Sequence, residues 1–207
     1  MSDAGARARA ILAEARAIIT GSHVVYTSGK HGSAYVNKDA VYPNTARVAE
    51  LCRYLADATA ATRPDVVCGP AMGGIILAQW TGHHLGLPAV YAEKAPDGGM
   101  ALRRGYDALV AGKRVLVVED ILNTGGSVKD AVAAVRAAGG EVVAVAALVN
   151  RGGVTAADIG VPTLVALLDV ALDAWDAAAC PLCREGVPVN TQVGKGRDFL
   201  AKRAAGG

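Results

Sequence analysis

The segment with the clearest chemistry combines two acidic residues with a turn of hydroxyl side chains and glycines. Glu119 and Asp120 end an apolar run, and a predicted helix begins in the turn formed by Thr124, Gly125, Gly126 and Ser127. Backbone N–H groups at a helix N-terminus bind anions such as a phosphate monoester, and the helix dipole favours the same charge. The turn has neither the lysine of a nucleoside-triphosphate loop nor the G-x-G-x-x-G spacing of a dinucleotide loop, so neither of those ligands is favoured.

The two carboxylates beside this turn narrow the choice of ligand. They would repel a phosphate unless the ligand places hydroxyl donors or a divalent cation between its phosphate and the acids. A ribose 5-phosphate has this arrangement, with its phosphate at the turn and its 2- and 3-hydroxyls donating to Glu119 and Asp120. The same residue types also fit an ordinary strand end followed by a capped helix, and this segment alone leaves both interpretations open.

Strands and helices alternate through the middle of the chain and would position these residues. The pattern predicts strands over residues 65–68, 87–93, 113–119, 141–150 and 162–168, and helices over residues 75–85 and 127–138. The strands are continuous apolar runs, which indicates an α/β fold whose mostly parallel, doubly wound sheet is covered on both faces. Ligands of such sheets bind at the carboxyl ends of the strands, where both acids are expected.

The two ends of the chain are less regular than its middle. Helical spacing over residues 4–20 predicts a helix that Gly21 ends, and two short strands are expected between Val24 and Val36. A further helix is predicted from Asn44 or Thr45 to about Thr62, and residues 97–104 are expected to form a mobile loop. We therefore expect one domain over residues 1–207, with N-terminal elements at about 1–40, the core sheet at about 60–170 and an appendage at about 171–207.

The overall charge excludes some classes of partner. The 207 residues carry 21 basic and 19 acidic side chains, and this net charge of +2 gives no broad field to attract nucleic acid or an anionic membrane. The longest strong apolar run, residues 142–149, is far shorter than the ~20 residues that cross a bilayer. The N-terminus also lacks the apolar stretch of a signal peptide, so we expect a cytoplasmic protein.

Four segments resemble a known family. Residues 115–127 resemble the 5-phosphoribosyl 1-pyrophosphate (PRPP) motif of type I phosphoribosyltransferases, with four apolar residues, two acids, two apolar residues and a T-G-G-S turn. Residues 26–37 are similar to the S-G-x-x-S-x-Y-x-N segment of orotate phosphoribosyltransferases, residues 69–74 to their pyrophosphate loop, and residues 150–153 to their D-R-x-x-G stretch. The resemblance covers roughly residues 10–160 and implies the type I fold with a small hood from both chain ends.

The resemblance also implies an activity. Enzymes of this kind join orotate to PRPP, giving orotidine 5-monophosphate and pyrophosphate, and they need Mg²⁺ bound mainly through PRPP. It implies a homodimer that acts on small molecules. A phosphoribosyltransferase for a purine or another base, and a PRPP-binding regulator with the same fold, are the alternatives.

The resemblance assigns roles to individual residues of this sequence. Glu119, Asp120 and Lys94 are the implied catalytic residues. The implied PRPP-binding residues are Ala71, Met72, Gly73, Gly74, Lys94, Arg103, Glu119, Asp120, Asn123, Thr124, Gly125, Gly126 and Ser127. The resemblance implies that orotate contacts Ser28, Gly29, Asn123 and Arg151. Arg151 suits this role because a planar guanidinium binds a carboxylate or ring edge through two hydrogen bonds.

Three positions depart from the family pattern. The K-D-H-G motif of the family's mobile loop is absent, and residues 93–105 carry Lys94, Arg103 and Arg104 instead, which we interpret as a variant loop. Thr27 replaces a lysine, and Asn123 replaces a threonine that faces the base. An amide donates and accepts hydrogen bonds as a hydroxyl does, so pyrimidine binding remains compatible.

The cysteines suggest little catalytic chemistry. Cys52 and Cys68 lie in apolar runs and are interpreted as buried thiols. Cys180 and Cys183 have the spacing of half a zinc site, but no second C-x-x-C follows, so the sequence favours a plain thiol pair. His31, in the predicted N-terminal turn, is a candidate functional residue.

Overall fold

The computed structural model describes residues 3–96, 98–170 and 172–205. The chain divides into two compact units. The sheet unit contains residues 44–170 together with the N-terminal residues up to Arg9, and the hairpin unit contains residues 10–43 and the C-terminal segment from residue 171 onward. Each unit is described separately below.

The N-terminal residues form a helix and a β-hairpin. Helix α1 spans Asp3–Glu14, and strands β1 (Ile18–Val25) and β2 (His31–Val36) pair antiparallel. The predicted helix over residues 4–20 is therefore too long. Arg16 has a positive φ of 53°, which ends the helix, and the β-branched Ile18 and Ile19 pair with Val36 and Tyr35 instead.

Six strands and four helices lie in the described part of residues 44–170 of the sheet unit. In chain order they are α2 (Thr45–Thr59), β3 (Val66–Pro70), α3 (Gly73–Leu85), β4 (Ala89–Lys94), β5 (Met100–Leu102), α4 (Tyr106–Val110), β6 (Arg114–Leu122), α5 (Gly126–Ala137), β7 (Glu141–Asn150) and β8 (Leu164–Asp169). The strand order is β5-β4-β3-β6-β7-β8, and only β5 runs antiparallel to its neighbour. The predicted mostly parallel sheet is confirmed.

Apolar burial explains why β6 and β7 are interior strands of this sheet. Val115, Leu116, Val117 and Val118 of β6 are fully buried, as are Val145 and the alanines beside it in β7. A strand buried on both faces reads as a continuous apolar run, which is the pattern that predicted it. Helix α2 begins at the predicted cap, where the Asn44 side chain accepts a hydrogen bond from the Arg47 N–H at 3.1 Å.

The expected loop over residues 97–104 contains a strand. Met100 pairs with Lys94 and Leu102 pairs with Ala92, so β4 and β5 form a hairpin. Met100 and Leu102 pack, partly buried, against the core of the sheet unit, and this packing holds β5 in place. Asp97 lies outside the described residues.

The C-terminal part of the hairpin unit holds two helices, α6 (Pro181–Arg184) and α7 (Gly196–Ala205). Two short bridges join this segment to the hairpin, one between His31 and Trp175 and one between His23 and Val189. The two sequence segments of this unit are thus held together by backbone hydrogen bonds. Across the described residues, no helix has both the length and the apolar character needed to span a bilayer.

The chain after β7 packs closely against the end of β6. The N–H groups of Arg151 and Gly152 both donate to the Leu122 carbonyl oxygen, at 2.8 and 3.0 Å. A Cβ atom at Gly152 would overlap the carbonyl oxygen of Asn123. The Asn150 side chain closes the turn, since its Nδ2 donates to the Val154 carbonyl at 2.9 Å and its Oδ1 accepts from the Val154 N–H at 3.0 Å.

We expect Gly152→Ala to lower the free energy of unfolding by about 1–3 kcal/mol, because its methyl group must displace the backbone at Asn123. Chemical denaturation measures this change. Gly126→Ala is the matched control, since the nearest atom to its Cβ outside the helix is the Thr124 hydroxyl at 3.6 Å. Equal stability of the two variants would contradict the close contact.

Candidate active site

The carboxyl end of β6 places both predicted acids in the interior of the sheet unit. Glu119 is 6% exposed and Asp120 is 5% exposed. The Asp120 N–H donates to Glu119 Oε1 at 3.0 Å, and the Ile121 N–H donates to Asp120 Oδ1 at 2.6 Å. These amide donors partly compensate the carboxylates for lost hydration, and they fix the direction of each side chain.

Gly125 shapes the turn that follows the acids. It is the N-cap residue of α5 with a φ of 76°, and a Cβ atom there would lie 3.1 Å from Ile159 Cγ2 and 3.3 Å from Val154 Cγ1. Glycine meets both requirements, the left-handed conformation and the close packing. Because Gly125 has no side chain to cap α5, the N–H groups in the first turn of the helix are suited to bind an anion.

One open, concave space combines a carboxylate with this turn. It is lined by Glu119, Ile121, Leu122, Asn123, Thr124, Gly125, Gly126, Ser127 and Val128. The predicted residues 123–127 and Glu119 therefore share one cavity. Asp120 follows Glu119 on the strand, is equally buried, and is not among the lining residues.

The loop after β3 reaches the same edge of the sheet. β3 lies beside β6 in parallel register, with Cys68 opposite Val117, so the carboxyl ends of both strands face the same way. Ala71, Met72, Gly73 and Gly74 follow β3 and begin α3. The Ala71 N–H donates to the Ala92 carbonyl at 2.7 Å, and the Met72 side chain is 80% exposed.

Arg151 follows β7, the neighbour of β6 on its other side. It is half-buried, and its N–H group is anchored on the Leu122 carbonyl oxygen. This backbone contact places Arg151 beside Asn123. The structure thus brings the two base-binding candidates of the sheet unit next to each other.

The basic candidates on the β4–β5 hairpin differ in their pairing. Lys94 is exposed at the end of β4, and it forms no ion pair within the part of the chain that the structure describes. Arg103 Nε lies 3.8 Å from Glu93 Oε1, and Arg104 Nη2 lies 3.3 Å from Glu93 Oε2. The hydrogen bond and charge of Glu93 raise the pKa of Arg104 further above its ordinary value.

The pairing with Glu93 was not anticipated from the sequence. Glu93 and the two arginines are separated by the β4–β5 turn, so only the strand register shows that they meet. Both arginines are substantially exposed, and surface ion pairs of this kind contribute little to stability. An anionic ligand can therefore replace Glu93 as their partner at low cost.

Ser28 and Gly29 belong to the hairpin unit. They lie in the turn between β1 and β2, both exposed, and the Gly29 N–H donates to the Tyr26 carbonyl at 2.9 Å. His31 does not lie in the accessible turn that the sequence predicted for it. It begins β2 with 0% exposure, so it cannot contact a substrate directly.

The oxygen-rich lining of the cavity fits the type of ligand that Mg²⁺ prefers. Glu119 supplies a carboxylate, and Thr124 and Ser127 supply hydroxyls. Mg²⁺ in proteins is commonly held by one or two carboxylates together with oxygens of a phosphate substrate and water.

Known proteins share this arrangement of elements. Residues 37–175 match the family model described as a phosphoribosyl transferase domain. The orotate phosphoribosyltransferase of Caldanaerobacter subterraneus subsp. tengcongensis is 41% identical over 174 residues, which cover 83% of this chain and 88% of that protein. The orotate phosphoribosyltransferase of Heliobacterium modesticaldum is 41% identical over 180 residues, covering 86% of this chain and 92% of that protein.

A solved structure adds the same relationship at the level of the fold. The Mycobacterium tuberculosis orotate phosphoribosyltransferase in complex with PRPP superposes with a TM-score of 0.63 at 29% identity, covering 82% of this chain and 97% of that chain. The sheet is therefore that of the type I phosphoribosyltransferases, as the resemblance implied. From the matched domain, the two relatives and this fold, we conclude that the chain belongs to the phosphoribosyltransferase family.

Proposed function

We propose that this chain transfers the 5-phosphoribosyl group of PRPP to orotate, giving orotidine 5-monophosphate and pyrophosphate. The observation that carries the proposal is the single cavity in which the Glu119 carboxylate meets the α5 turn of residues 124–127. Orotate is proposed as the base because relatives named orotate phosphoribosyltransferase are 41% identical over more than four-fifths of the chain.

The 5-phosphate is assigned to the turn of Thr124, Gly125, Gly126 and Ser127. First-turn N–H groups of α5 and the two hydroxyls donate to the phosphate oxygens, and the helix dipole adds to this attraction. Glu119 then accepts a hydrogen bond from a ribose hydroxyl. Asp120, the next residue of β6, is assigned to the ribose as well, although it lies outside the cavity lining, and the Ile121 N–H orients its carboxylate.

The departing pyrophosphate is assigned to the backbone of residues 71–74 and to the basic β4–β5 hairpin. Lys94 offers an ammonium group with no competing ion pair among the described residues, and Arg103 adds a second positive charge. Glu119 and oxygens of the ligand would hold Mg²⁺, which when bound would neutralise negative charge on the pyrophosphate. Both electrostatic contributions lower the barrier to bond breaking at the ribose anomeric carbon.

The base is assigned to Asn123 and Arg151, both of the sheet unit. The Arg151 guanidinium suits a bidentate hydrogen bond to the orotate carboxylate. The Asn123 amide can donate to a ring carbonyl and accept from a ring N–H. Holding base and ribose in one geometry supplies much of the rate, and no protein nucleophile is needed.

The base specificity is tested by a substrate panel. The purified chain is incubated with PRPP, Mg²⁺ and one of orotate, uracil, adenine, guanine or xanthine, and pyrophosphate release is followed. We expect release with orotate alone. Turnover restricted to a purine, or PRPP binding without turnover on any base, would contradict the proposal.

We expect Glu119→Gln and Asp120→Asn each to lower kcat/KM for PRPP at least about tenfold, because each removes a charged hydrogen bond worth roughly 1.5–3 kcal/mol. Steady-state kinetics with varied PRPP measure this. Asp130→Asn is the control, since Asp130 is exposed on α5 and outside the cavity lining. Unchanged kinetics in either variant would remove that residue from the site.

We expect Lys94→Gln to lower kcat/KM for PRPP by about tenfold or more, and Arg103→Gln to have a smaller effect because Glu93 already shares the charge of Arg103. Lys113→Gln is the matched control, because Lys113 is exposed and precedes β6 at the opposite edge of the sheet. An equal loss in the Lys94 and Lys113 variants would indicate a general charge effect in place of a local one.

A further inference from the structure

A cluster of four potential metal ligands lies within the hairpin unit, separate from the residues of the cavity. His23, His31, Cys180 and Cys183 each direct one donor atom to a common point, and all four atoms lie within 4.8 Å of one another. His23 is 1% exposed, while His31 and Cys180 are 0% exposed. The sequence had suggested only the two cysteines, as half of a site.

Three sulfur–nitrogen distances between the donor atoms match a tetrahedral metal centre. Cys180 Sγ and Cys183 Sγ each lie 3.6 Å from His23 Nε2, and Cys183 Sγ lies 3.4 Å from His31 Nδ1. Zinc–sulfur bonds of about 2.3 Å and zinc–nitrogen bonds of about 2.05 Å at a tetrahedral angle separate S and N by about 3.5 Å. The two nitrogens, 2.8 Å apart, need to separate by about half an ångström to reach the same geometry.

The His23 ring is already oriented for coordination. Its Nδ1 lies 2.7 Å from the Val187 carbonyl oxygen, which can only accept a hydrogen bond, so Nδ1 carries the proton. In the neutral ring this leaves the Nε2 lone pair directed at the two sulfurs and at His31. A metal-bound histidine typically donates its other ring N–H to a carbonyl or carboxylate in this way.

The His31 ring is held by the same cluster. Its Nδ1 faces His23 and Cys183, whereas its buried Nε2 has no hydrogen-bond partner among the described residues. The edge-to-face contact with Phe199, at 4.6 Å between ring centroids, packs the ring. Among the described residues, the His31 ring therefore makes polar contacts only through Nδ1, and all of them are with the other members of the cluster.

The backbone keeps the four ligands in place. His31 exchanges two backbone hydrogen bonds with Trp175, at 2.7 and 2.8 Å, and the His23 carbonyl accepts from the Asn190 N–H at 2.7 Å. Cys180 and Cys183 are spaced by the start of α6, which Pro181 begins. Each ligand therefore sits on regular or paired backbone instead of on a free loop.

We propose that His23, His31, Cys180 and Cys183 bind one zinc ion as a structural Cys₂His₂ site. Two thiolates and two imidazoles in tetrahedral geometry are the donor set that selects Zn²⁺ over the harder Mg²⁺. All four positions come from protein, so no position is open for a substrate or an activated water. The site therefore acts on stability, by joining the two sequence segments of the hairpin unit.

The proposal explains why a small unit contains this cluster. Small folded units have limited apolar burial, and many are stabilised by a bound metal or by disulfides. The cysteines of the cluster also differ from the other two in the chain. Within the part of the chain that the structure describes, Cys52 and Cys68 belong to no comparable group of potential metal ligands.

Metal analysis of the full chain tests the proposal. The protein is purified without added metal, dialysed, and its zinc content is measured by mass spectrometry. We expect about one zinc per chain in the unmodified protein and a loss of most of it in Cys183→Ser and His31→Gln. Cys52→Ala and His83→Ala are the matched controls and should keep the metal, since Cys52 is buried elsewhere and His83 is exposed on α3.

A second measurement does not depend on how well the variants fold. After chelation, Co²⁺ is added to the unmodified protein, and we expect thiolate-to-cobalt charge-transfer absorption together with the intense visible bands of tetrahedral cobalt. Absence of zinc after Zn²⁺ addition, absence of these bands, or full zinc retention in Cys183→Ser would each overturn the proposal. Neither readout uses the transferase activity, so the result stands apart from the proposed function.

Discussion

The parallel alignment of β3, β6 and β7 is the constraint on which the candidate site depends. Parallel neighbours end at the same edge of a sheet, so the loops after these three strands must meet there. The contact is fixed at one atom, the Leu122 carbonyl oxygen, which accepts from the N–H groups of Arg151 and Gly152. Only a residue without a Cβ fits at Gly152, so the spacing between the base-binding and ribose-binding candidates is set by backbone contact.

The same edge must hold negative charge without losing its affinity for an anionic ligand. Glu119 and Asp120 are almost fully buried, and backbone N–H groups donate to both. An anion at the α5 turn would be repelled by these acids if no hydroxyl or cation intervened. The β4–β5 hairpin, on the opposite side of β3, carries positive charge at Lys94 and at the arginines paired with Glu93. This positive charge opposes the negative charge of the two acids.

The sequence predicted the buried parts of this structure best. Continuous apolar runs identified β6 and β7, and Glu119 with the glycine turn identified residues that line the cavity, because both signals are local. The predictions for the end of α1 and for residues 97–104 were wrong, because contacts with other segments determine both structures. Ile18 is in a strand because it pairs with Val36, and Met100 is in a strand because it pairs with Lys94 and packs against the core. The cluster of His23, His31, Cys180 and Cys183 was missed for the same reason, because nothing in the spacing of the two histidines links them to the cysteines.

The separation of that cluster along the chain has a consequence for synthesis on the ribosome. His23 and Cys180 are 157 residues apart, and the strands of the sheet unit lie between them. A nascent chain therefore presents every strand of the sheet before the cysteines have been translated, and domains generally fold as units in the order in which they emerge. The β1–β2 hairpin can pair with the C-terminal segment only after that segment has been synthesised. A prematurely terminated chain would therefore lack the segment that carries Cys180 and Cys183.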